Sequence, residues 1–415
     1  MIFFYTYLFL FQLFNTYLGV LAPLNPYVFS IIFILYGFRH KIKIINVNIL
    51  LVLLFLIIAF IIIYSVKFTL ASSITIAAKA IQFNYGYYFL IPGLTVFFGF
   101  FPRIKIIHIL SATFWAISIE LLIEFLLIRL LGVSPGAFTH YPKTQHITLD
   151  QVTGEYTANR LLGMAGNASV TGVLYTSSFV LYLGALYLQY NNLKTRKIII
   201  VIVTFLICFF MIISGSAFFA VLLATVVIWS QRKGNLIRNL IIGFTIIPSV
   251  LILFNYLSTV TDAFGDKFTT EYLILLFVKD DIEGSLPYLL HEMSKDYHWY
   301  HFFTGSYYFE WGNPDAIIKT VDYFYVNVIY EFGIFGLIIF FVVISKSYRA
   351  IADLRLIDNT FLKFGFLVLI FGSLHYPAIA YMSSQVFVSS LAAVAIRDRM
   401  ARKIIRTHRD QYISF

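Results

Sequence analysis

Apolar runs of about 20 residues recur along this chain from end to end, each long enough to cross roughly 30 Å of hydrocarbon as a helix. A spanning segment must satisfy its backbone internally, so the pattern points to a helical bundle. With 60% hydrophobic and 12% charged residues and a mean hydropathy of +0.85, this is the sequence of an all-α polytopic membrane protein. The sole cysteine, Cys208, sits inside an apolar run, which excludes a disulfide framework or a cysteine metal site. A net charge of +10 would suggest a nucleic-acid partner in a soluble chain. Here the distribution of charge explains it, and no nucleic acid is expected.

Hydropathy and charge place about twelve spans, at roughly 2–18, 22–38, 45–66, 84–101, 106–130, 168–189, 197–213, 215–230, 239–257, 323–345, 359–377 and 383–396. The first run, lacking a basic leader and a small-residue cleavage site, is expected to be a membrane helix and not a removed signal peptide. Basic clusters fall at every second junction, from Arg39 and Arg103 through Lys194, Arg232 and Lys346 to the tail after Arg397. They hold about two-thirds of the 30 Lys and Arg residues. By the positive-inside rule those junctions, and both termini, are cytoplasmic.

The opposite side carries most of the acids and two long segments, 131–167 and 258–322. Structureless loops of that length are uncommon unless they are functional or disordered, and the Trp, Tyr and His content of the second is not a disordered composition. A site is expected there, on a single domain covering residues 1–415 without internal repeats. The apolar stretch 273–289 is interrupted by Lys279-Asp280-Asp281 and is expected to lie on the membrane surface and not to span it.

No phosphate-binding glycine loop, HExxH or strand-linked GxGxxG is present, so nucleotide and metal chemistry are not expected. Arg160, just before the sixth span, is either a headgroup contact or a bidentate phosphate clamp. Gly163 and Gly166 beside it would admit a ligand to the backbone, and the helix opening near Ala168 would present amides to an anion. Asp322 is either a first-turn charge or a general base at the membrane border. Glu331 is nine residues further on; on one straight helix it lies about 13 Å deeper and about 180° around, so the two acids form no pair. His291, His298 and His301 with Trp299, Tyr300 and Trp311 read either as a sugar-stacking wall or as an interfacial aromatic belt. Glu120 and Glu124, acids inside the fifth span, either pair with Arg129 or support a pocket, and with His375 they keep a transport reading open.

Three local patterns resemble the O-antigen polymerase (Wzy) and O-antigen ligase superfamily of integral-membrane glycosyltransferases. The stretch NRLLGMAGNASVTGVLY is similar to its Arg-x-x-Gly loop running into a helix, and MIISGSAFFAVLLATV to its Ser-Arg/Ser-Gly hairpin. FFTGSYYF followed by VDYFYVNVIYEFGIFG resembles its FGxG element and the polar-start helix ending in E-x-G-x-x-G. The resemblance implies a GT-C-like bundle of about twelve spans with two large periplasmic loops, in the bacterial inner membrane. It implies polymerisation of undecaprenyl-pyrophosphate-linked oligosaccharides into O-antigen or capsular polysaccharide, without metal or other cofactor. Asp322 stands where ligases carry a His-Asn pair, which favours the polymerase branch, with Asp322, Arg160 and Glu331 as catalytic candidates. Substrate contacts would come from His298, Trp299, Tyr300, His301, Gly163 and Asn167. The second loop has no arginine, so Lys295 or Lys319 (or Lys267 or Arg129) would supply the family's second cation. Implied partners are the lipid-linked donor and acceptor, membrane lipid and a chain-length regulator protein. The rival readings are a ligase acting on lipid A core and a lipid-oligosaccharide flippase, the latter disfavoured by the polar length of the two loops.

Overall fold

The computed structural model describes residues 104–131, 168–189, 195–212, 214–231, 299–305, 324–374 and 382–413, with Leu161, Gly163, Thr245, Ile252, Pro287, Ala378 and Ile379. Every regular element among the described residues is an α-helix: α1 (Ile106–Arg129), α2 (Ala168–Gln189), α3 (Thr195–Ile212), α4 (Gly215–Ser230), the single turn α5 (His301–Thr304), α6 (Phe324–Ala352), α7 (Asn359–Gly372) and α8 (Met382–Ile413). Three stretches, Ile106–Leu127, Ala168–Gln189 and Phe332–Ala352, are long and apolar enough to cross a membrane, as a membrane protein requires. The runs expected at 2–18, 22–38, 45–66, 84–101 and 239–257, the segment 273–289, and nearly all of 131–167 and 258–322 lie outside the described residues.

Among the described helices the apolar run of α2 is central, and it is buried over almost its whole length. Small residues let its neighbours come close, which is how helices associate where burial of apolar surface gives no driving force. A side chain at Gly172 would meet Ser214 and Ala217 of the α4 turn, and one at Gly184 would meet Phe361 and Ile357 of α7. In return, Gly365 and Gly372 of α7 lie against Leu181 and Val173 of α2. Pairing residue 184 with 361 and residue 173 with 372 makes α2 and α7 antiparallel. The Ser177 hydroxyl donates to the Gly365 carbonyl at 2.8 Å across this seam. Membrane hydrogen bonds of this kind contribute about 0.6 kcal/mol, whereas forcing an extra methyl into a packed seam costs about 1–3 kcal/mol. Gly365→Ala is therefore expected to lower the thermal midpoint in detergent more than Ser177→Ala does.

On its other side α2 meets α1 and α3 through aromatic rings. Phe114 stacks on Tyr175 at 5.3 Å, and Phe179 stacks on Phe205 at 3.8 Å. A polar knot closes the same layer. The Ser118 hydroxyl donates to the Phe114 carbonyl at 2.8 Å and shares a 2.7 Å hydrogen bond with the Tyr175 hydroxyl. Cys208 of α3 reaches the Ser118 carbonyl at 3.9 Å. Satisfying these hydroxyls inside the bundle removes the cost of burying them.

Charge sorts the ends. Arg397 of α8 donates to the Ile104 carbonyl at 2.6 Å, just before α1, and Arg399 pairs with Asp353 after α6 at 2.9 Å. Asp358 caps α7 by accepting from Thr360 N–H at 2.9 Å, and its own N–H reaches the Gly184 carbonyl. Lys105, Arg349, Arg355, Arg397 and Arg399 thus gather at one end of the bundle, hereafter the basic end.

One expected span is built differently. The stretch 323–345 reads as one straight helix, but α6 breaks at Gly333, whose φ of 66° and ψ of −176° are not helical. Sixteen residues of straight helix would separate Phe324 from Phe340 by about 24 Å. Their rings are 5.4 Å apart, and Tyr325 stacks on Phe341 at 5.6 Å. Residues 324–332 therefore fold back along residues 334–352. Glu331 thus lies next to the reversal and not partway along one straight axis, while Asp322 lies outside the described residues. α7 ends at Gly372, before the 377 expected for the eleventh span, and α8 covers the expected run 383–396 and continues as helix to Ile413.

Candidate functional site

At the end of the bundle remote from the basic end, the loop into α2 is fixed from three sides. Gly163 adopts φ +66°, the left-handed region that only glycine enters at no cost, and a Cβ there would lie 2.4 Å from Thr171 Cγ2. Its N–H donates to Glu124 Oε2 of α1 at 2.9 Å. Two residues earlier, Leu161 is buried, and its N–H reaches the Met211 carbonyl near the end of α3 at 3.4 Å. Glu124 thus answers the question posed by an acid in an apolar helix: its carboxyl satisfies a backbone donor that would otherwise be orphaned at membrane depth.

The Ser214 turn completes this corner. Ser214 caps α4 by accepting from Ala217 N–H at 3.2 Å, and its hydroxyl donates to the Ser169 carbonyl of α2 at 3.4 Å. A serine does both because its hydroxyl is donor and acceptor at once. The two segments Leu161–Gly163 and Ser214–Ser216 therefore sit on the same first turns of α2. Beside Gly172, Val173 touches Gly372 at the end of α7, and two residues back the Ile370 carbonyl accepts the Tyr325 hydroxyl at 2.8 Å. The opening of α6 is thereby linked to α2 through the end of α7.

The third segment lies at the α6 reversal. α5 is followed by Gly305, with φ +79°, and Phe303 of α5 is 5.8 Å from Phe335, two residues past the break. Trp299 is 78% exposed and stands edge-on to Tyr300 and Phe303; Phe302 is exposed beside them. Phe303 joins this aromatic group to the turn.

Of the candidate residues, Gly163, Trp299 and Tyr300 are described, and the first is in a different part of this end from the other two. His301 and Glu331 are placed as parts of α5 and α6, with their side chains outside the described set. Arg160, Asn167, Lys295, His298, Lys319 and Asp322 lie outside the described residues. The sequence flagged Glu124 as an acid out of place, with Arg129 or a pocket as its purpose; its carboxyl accepts the Gly163 N–H, and the Arg129 side chain lies outside the described residues. The Ser118–Tyr175 pair carried no signal at all, since a tyrosine in an aromatic-rich span is ordinary. Comparison with protein families, with curated proteins and with solved structures gives no match in any of the three.

Proposed function

We propose that this chain is an inner-membrane glycosyltransferase that polymerises undecaprenyl-pyrophosphate-linked oligosaccharide repeat units on the periplasmic side. The observation that carries the reading is that separate segments lie at the same end of the bundle. Leu161–Gly163, the Ser214 turn and the α5–α6 reversal are far apart in sequence, and each belongs to a stretch that resembles the polymerase and ligase superfamily. All lie opposite the basic end, which the positive-inside rule assigns to the cytoplasm. An exposed aromatic group stands at the same end, suited to stacking against sugar rings or to resting in the headgroup layer.

The reaction in this reading joins an acceptor hydroxyl to the anomeric carbon of the donor. The C–O bond to the pyrophosphate breaks, and the electron pair leaves with the lipid pyrophosphate. Arg160 stabilises the charge that develops on this leaving group, the term that usually dominates such catalysis. Asp322 takes the proton of the attacking hydroxyl, and the aromatic residues of the second loop hold the glycan in register.

Purified protein in proteoliposomes with a defined lipid-linked repeat unit is expected to give a ladder of products. Arg160→Ala is expected to remove the ladder, with turnover down by about 100-fold or more, while the protein stays folded by its thermal midpoint. A single transfer onto lipid A core with no ladder would make the protein a ligase. Movement of intact substrate across the bilayer with no new bond would make it a transporter.

A further inference from the structure

We infer that Glu124 is a positioning residue for the segment that begins at Arg160, and that it acts through its bond to the Gly163 amide. The inference rests on the proposed function only for its effect on turnover; the restraint itself stands on geometry. Leu161 and Gly163 are each pinned by their N–H groups, one to α3 and one to α1, at 3.4 Å and 2.9 Å. The pins differ in kind. Met211 offers a backbone carbonyl that no substitution removes, whereas Glu124 offers a side chain. The two fixed amides stand two residues apart, and the first belongs to the residue that follows Arg160 in sequence. Gly163 is further held by its left-handed φ of +66° and by Thr171 across from it.

Glu124 sits in the second half of α1, four residues after Glu120, on a helix whose neighbouring positions Leu122, Ile123 and Leu126 are exposed apolar residues. An acid here is costly to a membrane helix, and a leucine would serve α1 better. The bond it makes joins residues 39 apart in sequence, so it fixes the loop against the bundle rather than supporting α1 itself. Glutamine keeps the acceptor oxygen; alanine removes it. A role in proton transfer would be lost in both variants, whereas a positioning role is lost only with alanine.

The test uses full-length protein in a Cys208→Ser background with a cysteine placed at residue 160, labelled by a membrane-impermeant maleimide. Glu124→Ala is expected to change the labelling rate at residue 160 by about tenfold, as an acceptor lost from a buried amide frees the segment. Glu124→Gln is expected to stay within about threefold of the parent. A cysteine at residue 137, in the same loop and remote from Gly163 in sequence, serves as the control. In parallel, with Arg160 intact, Glu124→Ala is expected to lower polymer turnover by about 100-fold, and Glu124→Gln to restore most of it, because small displacements of a catalytic group have effects of that size. Equal labelling of all three proteins at residue 160 overturns the positioning role whatever the activity. A labelling difference in a protein that makes no polymer upholds the restraint and removes the glycosyltransferase reading instead. Loss of turnover in the glutamine variant as complete as in the alanine variant also overturns it.

Discussion

Gly333→Val is expected to open the α6 hairpin. The backbone at Gly333 combines φ 66° with ψ −176°, a region that glycine alone occupies freely. Holding any other residue there costs on the order of 1–3 kcal/mol, and a β-branched side chain lies at the upper end. Against that strain stand the contacts that close the hairpin: two ring pairs, Phe324–Phe340 and Tyr325–Phe341, and the Tyr325 hydroxyl on the Ile370 carbonyl. The pairs contribute about 0.5–1.5 kcal/mol each and the hydrogen bond a similar amount. The two sums are comparable, so valine shifts the balance by roughly 100-fold at most while alanine gives a partial opening. Cysteines at 324 and 340 in a Cys208→Ser background would report it, since a short thiol crosslinker bridges them only in the closed form. Crosslinking that is equal in the glycine and valine proteins would show that the reversal does not depend on residue 333.

That reversal also marks where reading the sequence stops working. Hydropathy places α2 and α4 to the residue, at 168–189 and 215–230, because each apolar run is bounded by polar or glycine-rich chain. The same index runs unbroken through Glu331-Phe332-Gly333-Ile334, and it carries no information on direction. A lone glycine in a helical run is ordinarily tolerated, so nothing in composition separates a straight span from one that doubles back. α7 stops early for a local reason: the Ser373 hydroxyl donates to the Leu369 carbonyl and accepts the Ile379 N–H, which takes the chain off the helix axis before Pro377. α8 continues past residue 396 because its Ala, Arg, Lys and Met residues favour helix, while a hydropathy window registers only its apolar half. At the candidate site the limit is of another kind. Glu124 stands out in the sequence as an acid among apolar residues, but its partner is a backbone amide, and an amide leaves no trace in side-chain identities.

Gly163→Ala is expected to have the second large effect, and its cause separates into two parts. The left-handed backbone, φ +66°, costs an alanine about 1–2 kcal/mol. The new Cβ would also lie 2.4 Å from Thr171 Cγ2 and 2.9 Å from Oγ1, and crowding of that kind costs about 1–3 kcal/mol. Thr171→Ala removes both atoms and leaves the Thr171 Cβ position at 3.1 Å, tight but not prohibitive. The double variant should therefore recover the crowding part and keep the backbone part, so the two substitutions are expected to be strongly non-additive. Thermal midpoints of the four proteins in detergent give the coupling, and additive losses would mean that Thr171 does not confine this turn. Alanine at 163 retains the N–H that Glu124 accepts, so this variant strains the turn without deleting its anchor. A smaller effect on labelling at residue 160 than Glu124→Ala produces, despite a larger loss of stability, would separate the carboxyl's hold on the loop from the loop's own conformation.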